Sequence, residues 1–201
     1  MNTVLFYDTE TTGIPLFNEL SEDPRQPHIV QLAACLVDLD THKTIQSMDV
    51  IVRPDGWEIP DDVAAIHGIT TEVAKDVGIS ECLAVEMLLE LWRKRTRIGH
   101  NEPFDARIIR IALKRYFDDV RDVSGINDII DVFPSDSWKA GQAVCTMKLA
   151  RPYCKLPSNK APKLTEAYKH FTGEDMPDAH SARGDVQGCM AVYFSIHSES
   201  E

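Results

Sequence analysis

The sequence predicts a single α/β domain, in which helices flank a mixed β-sheet. The first observation is the order of the elements: three strand-like segments come first, and helices then alternate with strands. The second is the length of 201 residues, which is enough for one substantial hydrophobic core. The third is that the sequence shows no internal repeat, no low-complexity tract and no linker long enough to divide it. We therefore interpret residues 1–201 as one domain.

Three strands are expected near the start of the chain. The apolar run from Val4 to Phe6 leads into Asp8, and a loop with three prolines follows from Ile14 to Pro27. The long apolar stretch from His28 to Asp40 is typical of a central strand. A hairpin connection then leads into the loosely alternating segment from Thr44 to Arg53.

Helices dominate the rest of the chain, and their ends are marked by capping residues. Ser80 is a suitable N-cap, Pro103 suits a first helical turn, and Gly68 and Gly173 are suitable stops. The expected helices are Asp61 to Ile66, Ser80 to Arg95, Pro103 to about Phe117, Thr146 to Arg151, Leu164 to Phe171 and Ser181 to Ile196.

Two further segments are candidates for strands. Arg97 to Asn101 is predicted to be a short strand followed by an exit from the sheet. Ile126 to Phe133 fits either a strand or a buried helical turn, and we favour the strand. The region from Trp138 to Pro162 is the least regular part of the sequence.

The composition indicates an ordinary globular protein in a reducing compartment. Hydrophobic residues make up 43% of the chain and charged residues 26%. The chain starts without a basic segment and has no apolar run of membrane-spanning length, so we expect no signal peptide and no contact with a membrane. The five cysteines are scattered without a C-x-x-C pair, which favours the cytoplasm and argues against disulfides and a zinc site.

The charge of the chain is unevenly distributed. The net charge of −11 is unfavourable overall for binding a polyanion. No acidic residue occurs between Asp136 and Glu166, however. This segment is either a solvated basic loop or a phosphate-binding one, and its basic residues are Lys139, Lys148, Arg151, Lys155, Lys160 and Lys163.

Asp8 and Glu10 follow the first apolar run and are two residues apart. Alternate residues of a strand project from the same face, so these two carboxylates lie side by side. Paired carboxylates repel each other, and a hard divalent cation is the usual remedy. Taken alone, the pair fits either a metal site or a solvated strand end.

Two more acidic residues and a histidine extend this pair. Asp105 lies in the first turn of the helix that begins at Pro103, and Asp185 lies in the early turns of the last helix. His180 is five residues before Asp185, a separation that does not place both side chains on one helix face. We therefore place His180 on the loop that leads into the helix.

These motifs resemble the DEDD 3′-5′ exonucleases, and specifically the histidine-containing (DEDDh) subgroup, which includes the proofreading epsilon subunit of bacterial DNA polymerase III. The resemblance is carried by the segments from Tyr7 to Gly13, from His100 to Asp105 and from Ala179 to Asp185. Ile66 to Thr70 and Cys145 to Arg151 are weaker matches. Together these motifs cover nearly the whole chain in the family's order.

The resemblance implies a ribonuclease-H-like fold with a mixed five-stranded sheet. It implies removal of nucleoside 5′-monophosphates from the 3′ end of single-stranded nucleic acid. Asp8, Glu10, Asp105 and Asp185 match the residues that hold two divalent ions, Mg²⁺ or Mn²⁺, and His180 matches the general base. Two such ions, about 3.5–4 Å apart, activate water and neutralise charge on the phosphate.

The resemblance also implies contacts to the terminal nucleotide. The candidate contact residues lie within or just after the acidic pair: Thr9, Thr11, Thr12 and Gly13. The last three are suited to offer backbone N–H groups to the nucleotide. Ile14 is placed to wedge near the last base. Asn101 belongs to the second motif. His67 either contacts the end nucleotide or caps a helix, and Phe104 either stacks on a base or packs in the core.

Two questions stay open at this point. The residues of the motifs are closest to those of the proofreading type, which favours DNA over RNA, although other branches of the family degrade RNA. The second hypothesis is a proofreading subunit that acts mainly on a polymerase. The chain ends soon after the last helix, which favours a free-standing enzyme, and neither a polymerase nor a second copy of the chain is determined as a partner.

Overall fold

The computed structural model describes residues 1–117 and 134–198. In these residues a five-stranded mixed sheet has the order β3-β2-β1-β4-β5. The strands are β1 (Thr3–Thr11), β2 (Ile29–Asp38), β3 (Lys43–Ile51), β4 (Arg97–Gly99) and β5 (Ala143–Cys145). The first three form an antiparallel meander, whereas β4 pairs in parallel with β1, and β5 in parallel with β4.

Helices cover both faces of the sheet. Their bounds are α1 (Asp61–His67), α2 (Thr71–Val77), α3 (Glu81–Trp92), α4 (Glu102–Tyr116), α5 (Pro134–Ala140), α6 (Thr146–Cys154), α7 (Leu164–Thr172) and α8 (Ala182–Ser198), and a single 3₁₀ turn spans Pro157–Asn159. None of the helices in the described ranges is long and apolar enough to cross a membrane.

The alternation of β1 divides the core between the two faces. Leu5 and Tyr7 pack with residues of α3, α4 and α5, including the fully buried Trp138. Val4 and Phe6 face the other side, where α8 covers them with Val186 and other apolar residues. The strand that carries the acidic motif is therefore held firmly from above and below.

Most of the predicted elements are confirmed within one to three residues at their ends. The predicted loop from Ile14 to Pro27 contains no helix or strand. The helix expected after Pro60 ends at Gly68, and the helix expected from Leu164 ends at Gly173, both in the left-handed conformation at φ of 77° and 79°. The first strand continues beyond Asp8 to Thr11, so the acidic motif lies within the strand.

The prediction missed three short elements. Helix α2 begins after Thr70, whose hydroxyl accepts the N–H of Val73. Helix α5 and strand β5 fall in or beside the region considered irregular, and β5 supplies the fifth strand of the described sheet. The strand favoured for Ile126 to Phe133 lies outside the described residues.

Candidate active site

Strand β1 presents two of the candidate carboxylates on one face of the sheet. Asp8 and Glu10 project from the same side as Val4 and Phe6, which is the side covered by α8. A register shift between Glu10 and Thr11 then ends the regular pairing with β2. The acidic pair therefore lies at the end of the buried part of the strand.

The first turn of α8 brings a third carboxylate to this pair. Carboxylate oxygens of Asp8, Glu10 and Asp185 all lie within 4.8 Å of one another. All three side chains are partly accessible. The structure thus brings together three of the four carboxylates that the sequence analysis grouped, from positions as far apart as 8 and 185.

Asp105 lies beside this group but holds a different position. Strand β4 ends at Gly99, so the edge of β1 is free farther along, and Asp105 takes the place of a neighbouring strand there. Its Oδ1 accepts the backbone N–H of Thr9 at 3.0 Å and the Thr9 hydroxyl at 2.7 Å. Thr9 is buried and its donors are used, so we expect it to orient Asp105 rather than contact a substrate.

Burial raises the pKa of all four carboxyl groups, and repulsion from the other site carboxylates adds to it at Asp8 and Glu10. Burial is the largest cause of the raised pKa of Asp8, followed by the charges of Asp105, Asp185 and Glu10. Burial, and then Asp185, raises the pKa of Glu10 to about 7. Burial likewise raises the pKa of Asp105 to about 7 and, to a smaller extent, that of Asp185. A cation placed among these groups would remove the cause of the repulsion.

His180 lies on the loop before α8, as the sequence predicted. Its backbone is left-handed at φ 69°, and its side chain is exposed. Its backbone N–H bonds to the carboxylate of Asp185, and both this bond and the nearby imidazole lower the pKa of Asp185, partly offsetting burial. The loop therefore holds His180 next to the acidic cluster without placing it on the helix.

The turn before α8 is closely packed. The Ser181 hydroxyl accepts the N–H of Gly184 at 3.1 Å and donates to the carbonyl of Asp178 at 3.0 Å. A Cβ at Gly184 would overlap that carbonyl oxygen. A glycine is therefore needed for the loop to fold back over the first turn of the helix.

Gln31 fastens this turn to the sheet, a role that the sequence analysis missed. It lies opposite Glu10 on β2, its Oε1 accepts the N–H of Ala182 at 3.1 Å, and its Nε2 donates to Asp49 at 2.7 Å. A glutamine within an apolar strand is a weak sequence signal of such a contact. Its effect is to fix the start of α8 relative to β1.

A buried ion pair supports the start of α4 and was also missed. Arg97 bonds to Glu102 at 3.2 Å, and Glu102 accepts the hydroxyl of Tyr7 at 3.0 Å. The Arg97 guanidinium lies over the ring of Trp138, 4.1 Å from its centroid, and donates to the carbonyl of that residue. The position of Asp105 thus depends on contacts made three residues earlier in its helix.

The turn after β1 differs in one respect from the prediction. The N–H of Thr12 donates to the carbonyl of His28 at 3.0 Å, and the Thr12 hydroxyl accepts the N–H of His28. The expectation that Thr12 offers its N–H to a nucleotide is therefore wrong, because the meander already uses it. The N–H of Gly13 lies 3.4 Å from the Thr11 hydroxyl, whereas the side chain of Ile14 is 74% exposed.

The remaining predicted contact residues have mixed surroundings. The Nδ1 of His67 accepts the N–H of Ile69 at 3.1 Å just beyond the end of α1, and its Nε2 is buried without a partner among the described residues. Asn101 is exposed, left-handed at φ 62° and makes no capping bond. Phe104 is half-buried and packs against the core, as its second interpretation proposed.

Comparison with known sequences finds one family over nearly the whole chain. The sequence model of the exonuclease family RNase_T matches residues 5–193. A curated relative, the DNA polymerase III subunit epsilon of Rickettsia felis, is 29% identical over 109 residues, which is 54% of this chain and 43% of the relative.

Comparison with solved structures finds the same architecture. Exonuclease I of E. coli in complex with a dT13 oligonucleotide superimposes with a TM-score of 0.72 at 21% identity over 96% of this chain, and the enzyme from Methylocaldum szegediense with a TM-score of 0.71 at 19% identity over 98%. These superpositions establish a shared ribonuclease-H-like fold, and at identities this low they establish the fold alone. The chain spans about two fifths of the length of these proteins.

Proposed function

The chain belongs to the exonuclease family whose sequence model spans residues 5–193, and from this membership we propose that it is a metal-dependent 3′-5′ exonuclease. It removes nucleoside 5′-monophosphates from the 3′ end of single-stranded nucleic acid, with DNA favoured. We assign it to the histidine-containing subgroup and take residues 1–201 as one catalytic domain. The five free cysteines support a reducing, cytoplasmic setting.

The observation that carries this proposal is the convergence of acidic groups from separate elements. Asp8, Glu10 and Asp185 offer oxygens within 4.8 Å of one another, and Asp105 is close enough to raise the pKa of Asp8. A protein gains no stability from holding four carboxylates together, because repulsion and lost hydration both oppose it. The arrangement is therefore better explained by binding of cations during catalysis.

The donor set fits hard divalent ions. The ligands are carboxylate oxygens alone, which suit Mg²⁺ and Mn²⁺ rather than softer metals. Asp8, Glu10 and Asp185 would bind directly, whereas Asp105, with one oxygen committed to Thr9, would act largely through bound water. Two such ions, bound there, would lower the pKa of the attacking water and neutralise charge at the scissile phosphate.

The protein's own groups complete the reaction. His180 is exposed beside Asp185 and accepts the proton of the attacking water as general base. Its left-handed backbone places the imidazole outside the helix, where it can turn toward the substrate. Gln31 and the turn around Ser181 hold that loop against the sheet, so the backbone of His180 keeps a fixed position relative to Asp185.

The terminal nucleotide is proposed to bind beyond the end of β1. The exposed Ile14 offers an apolar contact for a base. The side chain of Asn101, which makes no capping bond, and the Nε2 of His67, which has no partner among the described residues, offer polar ones. Phe104 packs against the hydrophobic core and so supports the first turn of α4 beside this site. The solved complex of exonuclease I with a dT13 oligonucleotide, which has the same fold, supports single-stranded DNA as the substrate.

A product ladder tests this function. A 5′-labelled 20-nucleotide strand incubated with Mg²⁺ or Mn²⁺ should shorten stepwise from its 3′ end, and a DNA strand should shorten faster than a matched RNA strand. A large preference for RNA would favour the alternative function, that of a 3′-5′ exoribonuclease. Internal cleavage, or a strand that stays intact, would reject exonuclease activity.

The similarity to a polymerase subunit favours a second candidate. The Rickettsia relative is a subunit of DNA polymerase III, so this chain could act mainly as a proofreading module within a polymerase complex. Gel filtration of the protein alone and with a replicative polymerase distinguishes the two. Full activity of the isolated protein without co-elution supports the free-standing enzyme.

A further inference from the structure

The exposed face of α6 and the connection to α7 carry a row of basic side chains. Lys148 and Arg151 are three residues apart on one face of α6, and Lys155 follows directly as the C-cap of that helix. Lys160 and Lys163 continue the row along the connection. All five are exposed, and we refer to them together as the basic strip.

The basic strip stands out against the charge of the protein as a whole. The chain has a net charge of −11, yet no acidic residue occurs between Asp136 and Glu166. Glu166 itself is committed to the start of α7, where it accepts the N–H of Lys163 at 2.7 Å and lies 3.7 Å from the ammonium of Lys160. The strip therefore forms a local positive surface that suits a polyanion.

Both ends of this segment are bonded to His100, at the end of strand β4. That residue follows β4, the parallel neighbour of the strand that carries Asp8. The His100 Nε2 lies 3.0 Å from the carbonyl of Pro162 and must donate to it, so its Nδ1 accepts the Thr146 hydroxyl at 3.0 Å. Thr146 and Pro162, at the two ends of the segment, therefore both lie beside the end of β4.

The middle of the segment is also held in place. The Nε of Arg151 donates to the carbonyl of Asn159 at 2.8 Å and lies 3.3 Å from its side-chain oxygen. These contacts fold the connection back on α6, so the lysines of the loop stay beside the cations of the helix. A surface arranged in advance loses less entropy when it binds.

We propose that the basic strip binds the sugar-phosphate backbone of the strand on the 5′ side of the nucleotide being removed. This inference rests on the proposed function, since it requires a strand whose 3′ end lies at the acidic cluster. That strand must leave the site along a neighbouring surface, and the strip carries the complementary charge on a segment whose two ends are bonded to His100, directly after β4. Flexible lysines contact phosphates without reading bases, so the contact is independent of sequence.

A triple variant, Lys155→Gln with Lys160→Gln and Lys163→Gln, tests the inference on two substrates. The first is thymidine 5′-monophosphate p-nitrophenyl ester, which has a scissile phosphodiester but no upstream phosphates. The second is a 3′-labelled 12-nucleotide single strand, assayed for kcat/KM over a series of salt concentrations. The matched control removes three exposed lysines elsewhere: Lys43→Gln, Lys75→Gln and Lys169→Gln.

The triple variant should hydrolyse the ester within twofold of the wild-type rate and lose about 10-fold in kcat/KM on the strand at low salt. Its log–log salt slope should become shallower by about 2, because each lost contact to a single strand removes about 0.7. The control should match the wild type on both substrates.

Three results would overturn the inference. One is a triple variant with wild-type strand kinetics and salt slope, even if an acidic peptide is found to bind the strip. Another is an equal loss on the ester and the strand, which would place the lysines in the reaction itself. The third is a wild-type protein that cleaves neither substrate, which would reject the proposed function as well.

Discussion

Asp8 is the residue on which the candidate site is centred, because its carboxylate faces those of Asp105, Asp185 and Glu10 at once. Each neighbour adds to the cost of ionising this partly buried side chain. Its ionised side chain is therefore unfavourable for folding, and we propose that its role is to bind a cation. This separates its effect on stability from its effect on activity, and the two can be measured independently.

The substitution Asp8→Asn should change these two properties in opposite directions. Turnover should fall by about 1000-fold or more, because a ligand and a charge are both lost at the reacting phosphate. Without divalent cations, relief of the repulsion should raise the unfolding temperature by about 2–4 °C, the shift typical of about 1 kcal/mol in a chain of this size. Nuclease assays and thermal unfolding measure the two effects, and an active Asp8→Asn protein would refute the assignment.

His180→Ala should separate proton transfer from metal binding. Loss of a general base lowers the rate by about 10²–10⁴-fold. The increase in unfolding temperature caused by Mn²⁺ should stay as in the wild type, since His180 is not among the carboxylate ligands. His170→Ala, at another exposed histidine, is the control and should leave both properties unchanged. Equal activity of the two variants would rule out His180 as the base.

The raised pKa values of Glu10 and Asp105, both about 7, make the response to cations depend on pH. In the folded protein without metal these groups keep protons that the unfolded chain releases, so its stability falls as pH rises from about 4.5 toward 7. Cations compete with those protons. The rise in unfolding temperature on adding Mg²⁺ should therefore be larger at pH 8 than at pH 5.5. An equal rise at both values would contradict the assignment of these two carboxylates.

At the level of elements, the start of α8 determines where both Asp185 and His180 lie. The helix begins in a turn closed by Ser181 and fastened to β2 by Gln31. Gly184 fits this turn only because it has no side chain, while Gly188, one turn later, faces the flexible side chain of Met176. The two glycines therefore form a matched pair within one helix.

Gly184→Ala should reduce activity much more than Gly188→Ala. An alanine at position 184 would force the backbone of Asp178 away, and the loop that carries His180 would move with it. Displacement of a catalytic group by about 1 Å costs about 100-fold in rate. At position 188 the new methyl group meets the sulfur of Met176 at 2.7 Å, which a side-chain rotation relieves. Similar kcat values for the two variants would argue against a precise role of the turn.

Long periodic elements were predictable from the sequence, whereas short ones were not. The apolar stretch that forms β2 and the capped helix α3 are defined by patterns that extend over ten or more residues. Strand β5 has only three residues, and its place is set by pairing with β4 rather than by a pattern of its own. Its backbone geometry comes from tertiary contacts that local sequence does not encode.

At the level of the molecule, the fold brings together residues from opposite ends of the chain. Parallel pairing of β4 with β1 places α4 and Asp105 beside Asp8, and packing of α8 on the same strand adds Asp185. Periodicity alone gave only the pair Asp8 and Glu10; the other members were predicted because their motifs resemble those of a family. The polar supports at Gln31, Thr9 and Arg97 were missed, since their partners are distant in sequence.

The central claim is that the acidic cluster holds the cations that the exonuclease activity requires. The most direct test measures release of nucleoside 5′-monophosphate from a 3′-labelled single strand, with metal removed and then restored. Protein dialysed against a chelator should release no labelled mononucleotide, and adding Mg²⁺ or Mn²⁺ should restore release in the wild type but not in Asp8→Asn. Undiminished release in the presence of the chelator would contradict the account, because the four carboxylates would then have no cation to hold.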